Sequence, residues 1–143
     1  MRALLLPALA AAALLPGCGG GEHEPPNTPE GAVRGFVDGV SRGDWGAACE
    51  RIGTVGTGQL TRLLPLDADE LDYAGELRDC ERTLDRHAAD VRRLVEGAKP
   101  GAVTAQQGDH ASVASPKGEW TVLDEVVDGG TKRWVVADFP GDR

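Results

Sequence analysis

Three cysteines, Cys18, Cys49 and Cys80, are the most reactive side chains of this 143-residue chain. A thiol can form a disulfide, bind a metal, act as a nucleophile or carry a lipid. Neither Cys49 nor Cys80 has a CxxC partner or a histidine at a ligand spacing. A redox or metal-binding pair is therefore the less favoured alternative for these two residues.

The residues before Cys18 have the plan of an export signal. Arg2 supplies the positive start, and Ala3 to Leu15 form an apolar stretch interrupted by one proline. As a helix this stretch would be about 20 Å long, which is too short to cross a hydrocarbon core of about 30 Å. The segment Leu15-Pro16-Gly17-Cys18 resembles the bacterial lipobox, in which the cysteine accepts a diacylglyceryl group; Pro16 departs from that pattern.

This pattern predicts a lipoprotein with a signal peptide at residues 1–17, a disordered tether at 18–28 and one folded domain at 29–143. The lipid on Cys18, with palmitate-type acyl chains, would hold the protein on the outer, extracytoplasmic face of the cell membrane. Assigning Cys18 to lipid leaves an even pair, so we expect a disulfide between Cys49 and Cys80.

The charge of the chain excludes one class of partner. Fifteen basic side chains stand against 23 acidic ones, and the net charge of −8 becomes −9 when Arg2 leaves with the signal. An acidic domain does not suit nucleic acid, and anionic lipid head groups would repel it. Attachment to the membrane is therefore expected from the lipid on Cys18 alone.

Two helices should open the domain. Thr28 is suited to cap a helix with Pro29 in its first turn, and Gly43 should end it. Asp44 can cap a second helix that begins at Trp45.

The middle of the domain is predicted as a corner followed by helices. Gly53 to Gly58 form a glycine-rich corner, and Leu60 to Leu64 suggest a short helix that Pro65 ends. A capping-box pattern, Asp67 with Glu70, opens a long periodic run through Val95 that predicts one long helix.

Beyond Gly97 the hydrophobic period changes to two, which predicts two β-hairpins. The first turns near Gly108 and Asp109, and the second joins Glu119–Val127 to Lys132–Phe139 through Asp128-Gly129-Gly130. The fold class is therefore α+β, with N-terminal helices packed on a curved antiparallel sheet of about four strands.

Four segments carry a resemblance to a known family: Ala32 to Val40, Arg42-Gly43-Asp44, Ala47-Ala48-Cys49 and Trp134 to Phe139. Together they resemble the nuclear-transport-factor-like, cystatin-like cone fold, as found in secreted lipoproteins of high-GC Gram-positive bacteria. The resemblance implies a sheet curled around a conical pocket. This shell hosts ketosteroid isomerases, polyketide cyclases, dehydratases and pure binding domains, so it does not decide the activity.

Enzymes of this fold place an Asp or His in the pocket, where burial shifts its pKa. The neighbours of His87 favour a structural place at a helix edge, and large aromatic residues more often fill a core. The resemblance nominates six possible pocket residues: Asp38, Trp45, Tyr73, His87, Trp120 and Trp134.

The sequence predicts no catalytic residue, metal site or cofactor. It contains no Walker loop, HExxH, GxSxG or dinucleotide fingerprint. The acidic run Asp67, Asp69, Glu70 and Asp72 lacks the ligand spacing and glycine of a calcium loop. His110 is expected to face solvent beside a turn.

The leading hypothesis is a non-catalytic accessory domain that binds a small apolar ligand or an envelope protein. A small pocket enzyme, isomerase-, cyclase- or dehydratase-like, is the first alternative. A structural envelope protein whose sheet pairs with a second copy as a homodimer is the other.

Overall fold

The computed structural model describes residues 25–141, which form an α+β domain as predicted. The predicted signal peptide, Cys18 and the tether up to residue 24 lie outside the described residues. The described helices are α1 Pro29–Arg42, α2 Trp45–Glu50, α3 Thr54–Leu63, α4 Cys80–Arg86 and α5 Ala88–Val95. The strands are β1 Val103–Gln107, β2 His110–Ser115, β3 Gly118–Val126 and β4 Lys132–Asp138.

The first helix begins and ends, and the second begins, where their capping residues predict. The hydroxyl of Thr28 accepts a hydrogen bond of 3.0 Å from the Gly31 N–H, and Pro29 occupies the first turn. Gly43 ends α1 in the left-handed conformation, with φ of 70°. The Asp44 carboxylate then accepts from the Ala47 N–H at 3.1 Å and starts α2. These side chains satisfy backbone groups that a helix end leaves without partners.

The four strands form an antiparallel meander in the order β1-β2-β3-β4, which confirms both predicted hairpins. Gln107 pairs with His110 across the first turn. The helices pack on one face of the sheet, where the side chains of Val113, Trp120 and Val136 are fully buried.

Three aromatic rings fill the space between α1 and the sheet. Phe36 and Phe139 lie with ring centroids 5.6 Å apart, and the Trp120 ring lies 6.2 Å from Phe36 and 5.6 Å from Phe139. Trp120 is fully buried, and its indole N–H donates to the Ala98 carbonyl at 3.0 Å. Such edge-to-face contacts add to the apolar area that the rings bury.

The predicted glycine-rich corner is wrong, because α3 begins at Thr54 and runs through it. Gly56 lies against the Val136 carbonyl and the Ile52 side chain, so a Cβ at this position would clash with both. The glycine here allows a close approach of the helix to β4, which overrides its low helix propensity.

The predicted long helix from Asp67 to Val95 is also wrong, because the chain interrupts it twice. The capping box forms, but it opens only a 3-10 turn at Ala68–Glu70. The Asp72 carboxylate then accepts from two N–H groups, Ala74 at 2.8 Å and Glu76 at 3.0 Å, and closes a small hairpin. Asp79 caps α4, and a second break at His87 separates α4 from α5. Short polar side chains bind the local backbone and compete with a continuous helix.

The outer edge of β4 is covered by two other parts of the chain. The Val136 N–H donates to the Arg51 carbonyl at 2.7 Å, and the Gly53 N–H donates to the Val136 carbonyl at 3.1 Å. The side-chain amide of Asn27 accepts from the Trp134 N–H at 2.9 Å and donates to the Lys132 carbonyl at 3.2 Å. This edge therefore offers few free backbone groups to another strand.

Candidate functional site

A groove of about 780 Å³ lies between α1 and α5 and has the most apolar lining of the four cavities described for residues 25–141. Its apolar surface comes from Val37 on α1 and from Ala89 and Val95 on α5. The groove is large enough for a small organic molecule, since ligand pockets have volumes of about 300 to 1,000 Å³.

Charged side chains border this apolar surface. Asp38, one of the predicted pocket residues, lies on the rim together with Arg92 and Lys99. The Arg92 guanidinium lies 5.5 Å from the centroid of the Trp45 ring, and the Trp45 indole N–H donates to Asp85 at 2.8 Å. Asp38 and Trp45 therefore lie in one region of the structure: Asp38 lines the groove, and Trp45 contacts Arg92, which also lines it.

The other predicted pocket residues lie elsewhere. Tyr73 is fully exposed at the tip of the small hairpin after Leu71, and it lines none of the four cavities described for residues 25–141. Trp120 belongs to the core, because the packing of Phe36 and Phe139 leaves its ring no exposed surface. Trp134 is half-buried and packs against the same core.

His87 forms a buried pair with Glu70. Its Nε2 lies 2.9 Å from each carboxylate oxygen of Glu70, and the two side chains are only 11% and 6% exposed. Glu70 also accepts from the Asp67 N–H at 2.8 Å. The pair joins the 3-10 turn to the junction of α4 and α5. The sequence signalled Glu70 only as half of a capping box, because residues 17 apart share no short-range pattern.

The Glu70 carboxylate is held in its charged form. The hydrogen bond from the Asp67 N–H is the main cause that lowers the pKa of Glu70, and the hydrogen bond and charge of His87 and the nearby Arg86 act in the same direction. Burial opposes them with a smaller effect. Donors directed at a carboxylate favour its ionised state.

The acidic run from Asp67 to Asp72 serves a structural role. Asp67 contacts the Arg86 guanidinium at 2.8 Å, and Asp69 contacts it at 3.7 Å. Within residues 25–141 no group of three or more His, Cys, Asp or Glu side chains is arranged to hold a metal ion. His110 is exposed and pairs with the adjacent Asp109 at 2.8 Å.

Cys49 and Cys80 form a disulfide, which confirms the predicted pairing. The bond joins α2 to the first residue of α4, and both cysteines pack against the core. A second groove beside it, of about 590 Å³, is lined by three carboxylates, Glu50, Glu81 and Glu125. Its polar lining suits an apolar ligand less well than the groove between α1 and α5.

Comparisons of the chain with protein-family models, with curated proteins and with solved structures found no match for it. Among the described residues no helix is both long and apolar enough to span a bilayer.

Proposed function

We propose that the chain is an extracytoplasmic lipoprotein whose folded domain binds a small apolar ligand or a partner protein without catalysing a reaction. Lipid on Cys18 would hold it at the outer face of the cytoplasmic membrane. The groove between α1 and α5 is the binding site in this proposal.

The observation that carries the proposal is the disulfide between Cys49 and Cys80. Structural disulfides persist in oxidising compartments and are rare in the cytosol. Pairing these residues leaves Cys18 as the third cysteine of the chain, and it stands directly after the signal-like segment. One pairing thus supports both the export and the lipid attachment.

The groove supports binding more than catalysis. Its apolar surface lies beside the exposed carboxylate of Asp38 and the exposed side chains of Arg92 and Lys99. A catalytic acid or base is usually a group whose pKa is perturbed within a concave site. Glu70 is the buried carboxylate with such a shift, and it does not line this groove.

A pocket enzyme remains the second candidate, and the buried Glu70–His87 pair is the observation that favours it. A carboxylate that orients an imidazole is a common general-base arrangement. However, neither residue lines any of the four cavities described for residues 25–141. We therefore propose that the pair acts as a structural link.

A structural role through an open apolar sheet face receives less support. The strongly exposed large apolar side chains among the described residues are Val55, Tyr73 and Val126, and only Val126 lies on a strand. Three isolated side chains do not form the large patch that marks such an interface.

The proposed lipid attachment and location are tested by intact mass and free-thiol count on the full chain extracted from bacterial membranes. We expect a diacylglyceryl mass on Cys18 and no free thiol, and a Cys18→Ala variant should lose the lipid and the membrane fraction. An unlipidated full chain with free thiols at Cys49 and Cys80 would contradict the proposal.

The groove is tested with anilinonaphthalene sulfonate, an apolar anionic dye, as the probe. We expect saturable fluorescence enhancement by the full chain and its loss in Ala89→Trp, which fills the groove. Ala74→Trp, on the exposed hairpin near Tyr73, is the matched control and should bind as the wild type does. Equal binding by both variants would assign the dye to another surface.

A further inference from the structure

The two edges of the sheet differ in how they are covered. Other segments of the chain bond the outer edge of β4, whereas none of the described residues bonds the outer edge of β1. Four of the five residues of β1 are exposed. Proteins protect a free edge with lysine, proline, a bulge or a covering segment; β1 contains no lysine or proline, and its one irregularity is the register shift between Val103 and Ala105.

The hydrogen-bond pattern identifies the groups that this edge presents. The Asp109 carbonyl accepts from the Asp124 N–H of β3 at 2.9 Å, so the next residue, His110, directs its backbone toward β1. His110 pairs with Gln107, and Ser112 pairs with Ala105. Because alternate residues bond to opposite sides, the N–H and carbonyl of Gln106 point away from β2.

We propose that β1 pairs antiparallel with β1 of a second copy of this chain, about a twofold axis at Gln106. The two Gln106 residues exchange backbone hydrogen bonds, and the two sheets join into one of eight strands. A twofold axis places β1 of one copy beside β1 of the other, so both copies supply the same hydrogen-bonding groups.

The chemistry of the strand favours a second copy. Val103–Gln107 carries no charged side chain, although the chain has a net charge of −8 that repels another copy elsewhere. With the axis at Gln106, the two Gln106 carboxamides lie opposite each other, and since a carboxamide both donates and accepts, each can bond to the other. The nearest acidic groups already have partners: Glu119 accepts from Thr104 at 2.7 Å, and Asp109 pairs with His110.

Within residues 25–141 no segment of the chain covers the outer edge of β1. The described part of the chain begins at Pro25, next to Asn27 at the β4 edge. The β4 edge lies about 14 Å from β1, across three interstrand spacings. The register shift between Val103 and Ala105 limits the regular part of β1, so we expect a modest, reversible interface.

A cysteine at position 106 tests the pairing in the full chain. In the proposed register the two introduced side chains lie directly opposite, at a separation that a disulfide can bridge. We expect Gln106→Cys to give a disulfide-linked dimer under mild oxidation, several-fold more than Ala74→Cys on the exposed hairpin. Equal yields at the two positions, or a crosslinked product of another mass, would overturn the proposal.

Charge variants distinguish self-pairing from binding to a different protein. Gln106→Lys and Gln106→Glu each place like charges opposite one another, so each variant alone should lose the dimer in sedimentation velocity of the detergent-solubilised full chain. An equimolar mixture should restore it. Loss without restoration in the mixture would refute the twofold pairing. Because Gln106 bonds away from β2, circular dichroism should be unchanged in both, and the result does not depend on lipid at Cys18.

Discussion

The imidazole Nε2 of His87 lies 2.9 Å from both carboxylate oxygens of Glu70, a residue 17 positions earlier in the chain. This contact holds the 3-10 turn at Ala68–Glu70 against the break between α4 and α5. Together with the contact of Asp67 with the Arg86 guanidinium at 2.8 Å, it links the irregular middle segment to the helices.

Acid should weaken this link. Since the folded-state pKa of Glu70 lies below its ordinary value of 4.5, its contribution to stability is present above that pH and is lost as the pH falls toward the lowered value. We expect the Tm of the wild type to fall between pH 6 and about pH 3 more steeply than that of Glu70→Gln. The measurement is thermal unfolding followed by circular dichroism.

Asp109 provides the control for this experiment. Its pKa is also lowered, mainly by the hydrogen bond from His110, but both side chains are about two-thirds exposed. Exposed pairs contribute little to stability and are screened by salt. Asp109→Asn should therefore leave the pH profile nearly unchanged, and a profile of Glu70→Gln that overlays the wild type would refute the role assigned to Glu70.

The disulfide should supply a large part of the domain's stability. Its loop spans 31 residues, and replacing both Cys49 and Cys80 by serine should lower the free energy of unfolding by about 3 to 4 kcal/mol. Urea unfolding of the double variant measures this. Reduction of the wild type should produce the same loss, whereas Cys18→Ala should produce none. A double variant as stable as the wild type would show that the bond does not form in the protein.

Two glycines of α3 should respond to alanine in opposite ways. Gly56 lies against the Val136 carbonyl and the Ile52 side chain, so Gly56→Ala forces α3 away from β4 and should destabilise the fold. A Cβ at Gly58 meets nothing within 4 Å, so Gly58→Ala should stabilise the helix by about 0.5 to 1 kcal/mol. Urea unfolding of the two variants side by side tests the pair, and effects of the same sign would contradict this packing.

Two of the three tryptophans should differ in how much their removal costs. Trp120 is fully buried, so Trp120→Ala should cost about 3 to 5 kcal/mol. Trp45 is half-buried and contributes one hydrogen bond to Asp85 and a contact with Arg92, so Trp45→Ala should cost clearly less. Denaturant unfolding with circular dichroism provides the comparison. If the two costs were equal, Trp120 would not have the core position described here.

The parts of the fold that local signals specify were predictable. Thr28, Gly43 and Asp44 set the ends of two helices through short-range contacts, and alternating residues with glycine turns set the two hairpins. The α+β class follows from the order of these elements. The errors fall where tertiary contacts or local side-chain bonds override the pattern, as at Gly56 and Asp72.

The candidate site was less predictable. The pairing of Cys49 with Cys80 could be predicted because the number of cysteines restricted the choices. Asp38 reaches the groove, but its neighbours Arg92 and Lys99 come from a distant part of the chain. The sequence did not indicate a role for Asn27, because its side chain bonds to the backbone of a strand more than 100 residues later.

The bonds of Asn27 to β4 should be measurable in solution. Asn27→Ala removes both, and Asn27→Asp keeps only the acceptor for the Trp134 N–H. We expect the Trp134 amide to exchange its hydrogen faster in the alanine variant and near the wild-type rate in the aspartate variant. Hydrogen exchange followed by NMR is the measurement. An unchanged rate in Asn27→Ala would mean that the edge is protected by other groups.

The same two bonds determine where an anchored molecule would be pulled. Asn27 fixes the start of the folded domain to the β4 edge, so a tether from Cys18 would load the sheet at its outermost strand. In a pair joined through β1, the two attachment points would lie at opposite borders of an eight-stranded sheet, about 34 Å apart. Two anchors so placed would lay the sheet along the membrane, and each molecule would limit the tilt of the other.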